Sequence, residues 1–133
     1  MILTFPLSSK SHTILFRIFL GVFVVLYFIP IGINIHKIQI LHIAADYLIH
    51  GIFCFILFFL YAGSLDKEED KTSVSSFFLK IIALALIVSS FEYLQLLTPT
   101  RSFDTKDLLS NFTGMIPGVL MQLFTRHYSL LSR

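Results

Sequence analysis

The chain has 133 residues, of which 56% are hydrophobic and 14% charged, with a mean hydropathy of +0.83 and a formal net charge of +2. A soluble domain of this size carries nearer ~25% charged residues, so the composition points away from a water-soluble globule and toward a membrane protein. The charge is too small, and the basic residues too dispersed, for a nucleic-acid surface, and Cys54, the sole cysteine, allows no internal disulfide.

About 20 apolar residues make a membrane-spanning helix, and four segments qualify. The first, about 13–33, follows Lys10 and contains Arg17 near one end, where a long side chain can snorkel to the interface. It leads into no small-x-small cleavage site, so a retained span is expected rather than a signal peptide. The run IQILHIAA at 38–45 either lies in the interface or extends the second span backwards. That second span, about 47–65, opens on DYLIH and carries Cys54 in CFILFFL as a packed thiol.

The loop DKEEDKTS must be solvated. A third span, about 77–97, ends in EYLQLL, after which Pro99 closes the helix and Asp104 or Thr105 can cap the next. The fourth span covers about 108–124. No repeat, low-complexity tract or long linker divides the chain. The fold class predicted is therefore all-α: one polytopic domain over 1–133, a bundle of four transmembrane helices.

Lysine and arginine counts set the orientation. Lys10, Arg17, Lys67, Lys71, Lys80, Arg126 and Arg133 fall on one side, against Lys37, Arg101 and Lys106 on the other. The richer side is read as cytoplasmic, which puts both termini there.

Polar groups then gather on the outer side. Asp46 and His50 stand four apart on one helix face, as do Glu92 and Gln95 at a spacing of three, in line with Ala85 and Ser89. At 1.5 Å per residue, His50 lies about one turn below Asp46, and Asn111 about one turn inside the fourth span. Ionisable groups cost several kcal/mol in the bilayer, so a shared layer from three helices needs a reason.

The residue types suggest the chemistry. A carboxylate one turn from an imidazole suits acid/base work, and makes Asp46, His50 and Glu92 the candidates for proton transfer. The structural reading is a capped helix for Asp46 and an internal ion pair for Glu92. In RSFDTKD, Arg101, Asp104 and Asp107 recur every three residues; Arg101 is the natural clamp for a phosphate or carboxylate, unless Asp104 or Glu92 takes it internally.

The fourth span carries the stripe Asp107, Asn111, Gly114, Gly118 and Gln122. Gly114 and Gly118 form a GxxxG that lets a neighbouring backbone approach, with Pro117 as a site for a kink. Gln95, Arg101, Asp104, Asp107 and Asn111 are the candidate ligand-binding groups. No metal is expected, because Asp46, His50, Glu92 and Asp107 lack a ligand spacing such as HExxH, and no cofactor motif or nucleophile elbow is present. His12, His36, His42 and His127 have no partner at helical spacing and are expected to be interfacial or solvated.

These fragments in this order resemble the VanZ-like family of small bacterial membrane proteins. The family pattern is roughly Asp-Lys-x-x-His, Glu-x-x-Gln, Arg-x-x-Asp-x-x-Asp and Asn-x-x-Gly. Here it reads as DYLIH (Asp46, His50), EYLQ (Glu92, Gln95), RSFDTKD (Arg101, Asp104, Asp107) and NFTG (Asn111, Gly114), over about 46–118. One departure is Tyr47, where the family has Lys. The resemblance implies a cell-envelope role and, for the founding member, reduced sensitivity to teicoplanin. It implies no particular reaction.

Three function classes follow. The first is an outer-face cleft that engages a membrane lipid, a lipid-linked envelope precursor or a glycopeptide-type amphiphile. The second is a small proton-coupled transporter, which would need a homo-oligomer or an envelope protein partner to complete its path. The third is a structural or partner-docking membrane subunit without catalysis.

Overall fold

A computed structural model describes residues 7–28, 39–40, 43–65, 73–97 and 104–131. Four long helices dominate it: α1 (Ser9–Phe28), α2 (Ala45–Ser64), α3 (Val74–Leu94) and α4 (Thr105–Leu131). All four are long and apolar enough to cross a membrane, as the sequence predicts.

The helix ends follow local chemistry. The α1 helix begins four residues earlier than its apolar run, because Ser8 accepts from the Ser11 amide at 3.2 Å and caps it. Ser73 does the same for α3 through the Ser76 amide, also at 3.2 Å. Asp104 rather than Thr105 caps α4, with its Oδ1 accepting from the Lys106 amide at 2.8 Å. The α4 helix continues on both sides of Pro117 and reaches Leu131, beyond the predicted end. The α3 helix gives way to a 3-10 turn at Gln95–Leu97; Pro99 lies outside the described residues.

Of the run at 38–45, the described residues before Ala45 do not extend α2. Gln39–Ile40 (β1) and Ile43–Ala44 (β2) pair antiparallel as a two-residue ladder, with Gln39 opposite Ala44 and Ile40 opposite Ile43, and α2 starts only at Ala45.

The closest packing is between α2 and α4, which run in the same direction. A Cβ on Gly114 would meet the Gly51 carbonyl carbon at 2.8 Å and the Phe55 nitrogen at 2.9 Å. One on Gly118 would meet the Phe55 carbonyl carbon and the Phe59 nitrogen, each at 3.2 Å. The two glycines therefore let the backbones touch, as the GxxxG spacing predicts, and dispersion over that contact holds the pair where lipid offers little hydrophobic drive.

The α1 helix runs antiparallel along α2 through tilted aromatic pairs, Phe16 with Tyr61 and Phe19 with Phe53, at centroid distances of 4.8 and 5.2 Å. Contacts of α3 with the other helices are sparse by comparison. The apolar core comprises Phe23, Cys54, Leu57, Phe58, Ala62, Ile81, Leu84, Val88 and Val119. Around it, Ile18, Ile52, Leu86, Leu120 and Phe124 face outward and are more than half exposed, as side chains that meet lipid should be.

His12 departs from its expectation. It is 4% exposed, not solvated: its ring lies on Gly63 and tilts against Phe59 at a centroid distance of 5.8 Å. The absent Cβ at Gly63 makes the room, and Nδ1 donates to the Ser8 carbonyl oxygen at 3.1 Å, a partner four residues back that side-chain spacing does not show. His127 is exposed, and His36 and His42 lie outside the described residues.

Candidate functional site

Three buried helix faces turn polar at the same end of the bundle. On α2 the buried line Leu57–Cys54 continues to His50; on α3 the line Ile81, Leu84, Val88 continues to Glu92, and Gln95 follows in the 3-10 turn. On α4 the line from Gln122 and Gly118 passes through Gly114 to Asn111 and Asp107, all buried. One stripe on each helix serves both apolar packing and the site. The glycine contact between α2 and α4 brings His50 and Asn111 together from the two packed helices.

Asn111 is the hub. Its Nδ2 donates to Glu92 Oε1 at 2.7 Å, while its Oδ1 receives His50 Nδ1 and Cys54 Sγ, each at 3.2 Å. Because the amide turns its NH2 group to Glu92, an acceptor faces His50, and Nδ1 is the imidazole's donor. Glu92 Oε1 also stands 3.5 Å from His50 Nδ1, and Glu92 is 0% exposed.

The opposite edge of the imidazole faces two more carboxylates. His50 Nε2 lies 3.6 Å from Asp46 Oδ1 and 4.0 Å from Asp107 Oδ2. Asp46, His50 and Asp107 each offer a donor atom, and the three atoms all lie within 4.8 Å of one another. Asp107 Oδ1 is buried and has no hydrogen-bond partner among the described residues, and the same is true of Gln95 Nε2.

At the rim, Tyr47 donates to Asp104 Oδ2 at 3.3 Å, and the Lys106 ammonium lies 5.8 Å from the Tyr47 ring centroid. Tyr47 thus holds Lys106 against its ring face. Arg101 lies outside the described residues.

Below the hub, a shallow crevice with an enclosed volume of only about 10 Å³ opens between α3 and α4, lined by Phe58, Ala85, Val88, Ser89, Asn111, Phe112 and Met115. Ala85 and Ser89 border this space, while the fully buried line to Glu92 runs through Leu84 and Val88.

The structure therefore brings together Asp46, His50, Glu92, Asp107 and Asn111, with Gln95 following Glu92 and Asp104 at the rim. Gly114 and Gly118 act in packing. Cys54 is the packed thiol that the sequence predicts, but its bond to Asn111, and the places of Tyr47 and Lys106 at the rim, were not foreseen. Cys54 had a usable signal, since it follows His50 by four residues on the same helix face. Tyr47 and Lys106 meet only through the fold.

A family model described as VanZ/LLP1 matches residues 2–126. The chain belongs to the VanZ/LLP1 family. The match takes in α1 as well as the motif-bearing part at 46–118, so the first helix is part of the family's architecture and not only a hydrophobic lead. No curated protein and no solved structure matches the chain. For this member of the VanZ/LLP1 family, then, the site must be read from its own geometry.

Proposed function

We propose that this protein is a cell-envelope membrane protein that receives an amphiphile, with the polar head in the Asp46–His50–Glu92–Asp107 layer and an apolar part in the crevice between α3 and α4. The observation that carries this reading is Asn111, which lines the crevice and also holds the polar layer together. A surface groove that is apolar along its length and hydrogen-bonding at one end matches a lipid or a lipid-linked precursor, whose chain would lie along the groove and not inside the bundle. The buried Gln95 Nε2, without a partner among the described residues, supports the same reading, because a buried donor costs free energy until something accepts from it.

In this reading Gln95 and Asn111 orient the head, Asp104 and Asp107 border it, and Arg101 takes an anionic group. Asp46, His50 and Glu92 exchange protons or hydrogen bonds with it. The layer lies on the outer face of a bacterial inner membrane, with both termini cytoplasmic. The amphiphile class includes lipid, lipid-linked envelope precursor and glycopeptide, so a contribution to teicoplanin resistance belongs to the same proposal.

The experiment is native mass spectrometry of the full chain released from nanodiscs of defined lipids, beside teicoplanin susceptibility of cells that express it. Retention of an anionic or lipid-linked species, lost in Glu92→Gln and His50→Ala at unchanged folded yield, supports the reading. Retention and susceptibility that both ignore these substitutions would overturn it. In that case the polar layer would be structural, a reading favoured by how completely Asn111 is occupied within the bundle.

A further inference from the structure

We propose that Asp46, His50 and Asp107 bind one divalent cation, Mn2+ or Zn2+, at the end of the bundle where α2 and α4 begin. His50 sets the geometry. Its Nδ1 donates to Asn111 Oδ1, which leaves Nε2 as the nitrogen that faces Asp46 and Asp107. Hydrogen bonds between an imidazolium and a carboxylate are about 2.7–2.9 Å long. The two separations here, 3.6 and 4.0 Å, are too long for that.

They are close to what a shared ion needs. Two ligand atoms about 2.1 Å from a tetrahedral ion stand about 3.4 Å apart, so small side-chain adjustments would close the three donors around one. All three already lie within 4.8 Å of one another.

Asp107 supplies the independent observation. It is 4% exposed, its carboxyl group faces the His50 ring, and its Oδ1 has no hydrogen-bond partner among the described residues. A carboxylate held out of water in this way needs a proton donor or a cation to satisfy it. One imidazole and two carboxylates suit Mn2+ or Zn2+ better than Ca2+, which prefers an all-oxygen shell. Three protein ligands also leave positions open for an outside group.

The ion would give an acid-rich layer an affinity for a phosphate or carboxylate head group. That further role rests on the amphiphile reading above, whereas the binding of the ion does not. With the ion in place, Glu92 rather than His50 remains to exchange protons.

The test uses the full chain in nanodiscs of zwitterionic lipid, stripped with EDTA and titrated with Mn2+. Electron paramagnetic resonance should count one bound Mn2+ per chain, displaced by Zn2+. Electron spin-echo modulation should show a nitrogen ligand that His50→Gln removes. Asp107→Asn should weaken binding by about 10–100-fold or more, and Gln122→Leu, far along α4, should leave it unchanged.

A second measurement leaves the three ligands intact. In a Cys54→Ser background, bound Mn2+ should broaden a nitroxide on Thr105→Cys but not one on Lys10→Cys. Absence of saturable Mn2+ binding, a nitrogen signal indifferent to His50→Gln, or broadening at Lys10→Cys instead would each overturn the inference. Phosphatidylglycerol retention, measured with and without EDTA, separates the two proposals. Mn2+ bound by a chain that retains no lipid and leaves teicoplanin susceptibility unchanged keeps the cation site standing and removes the amphiphile reading. Lipid retained by a chain that binds no Mn2+ does the reverse.

Discussion

Asn111 on α4 donates to Glu92 on α3 across 2.7 Å, and the other end of the same amide accepts from His50 and Cys54 on α2. One side chain thus ties three helices, and it does so where α3 otherwise makes few contacts. Asn111→Leu should therefore destabilise the fold by about 1–3 kcal/mol, because it leaves buried polar groups without their partner. SDS-titrated unfolding of the full chain in mixed micelles measures this. An unchanged midpoint would mean that Glu92 is held by something other than the amide.

The glycines give a graded series. Gly114→Ala places a methyl against backbone atoms of Gly51 and Phe55, which cannot rotate away, so α2 and α4 must separate. Overpacking of this kind costs about 1–3 kcal/mol. Gly51→Ala meets Ser110 O at 3.6 Å, an ordinary contact, and Gly21→Ala meets nothing within 4 Å. The same unfolding assay should rank Gly114→Ala as clearly destabilised and Gly51→Ala as nearly neutral. Gly21→Ala should be neutral or slightly stabilised through helix propensity. Any other order would contradict the close approach of α2 and α4.

The four helices were legible because lipid imposes a length and an apolar composition that a sequence shows directly. The stripe from Asp107 to Gln122 was legible for a similar reason: helical spacing alone puts those residues on one face, and that face is buried. What spacing cannot show is which faces meet. Nothing local to Asp46, His50 and Asp107 announces that two helices in parallel register bring the three within 4.8 Å. The burial of His12 under Gly63 is hidden in the same way, since it depends on a gap between α1 and α2. The two-residue ladder before α2 depends on pairing rather than propensity.

Cys54 is 0% exposed, and its thiol donates to Asn111, so the folded protein should not react with maleimide. Reaction should appear only when SDS opens the bundle, which makes the native cysteine a reporter of unfolding. Its labelling rate should rise in the Asn111→Leu and Gly114→Ala variants in step with their loss of stability. Rapid labelling of the wild-type protein in mild detergent would show that the interface between α2 and α4 opens readily.

Orientation can be read from two exposed positions at opposite ends of the bundle. Thr105 begins α4 beside the polar layer, and Lys10 lies near the start of α1 at the other end. In a Cys54→Ser background, Thr105→Cys should label with an impermeant maleimide on intact spheroplasts, and Lys10→Cys only after permeabilisation. The expectation rests on the excess of lysine and arginine at the Lys10 end. Asp46 and Asp107 are poorer probes, since burial would hide a cysteine there on either side of the membrane. The reverse pattern would turn the polar layer toward the cytoplasm. An envelope precursor or glycopeptide presented from outside could then no longer reach it, while a cation or an inner-leaflet lipid still could.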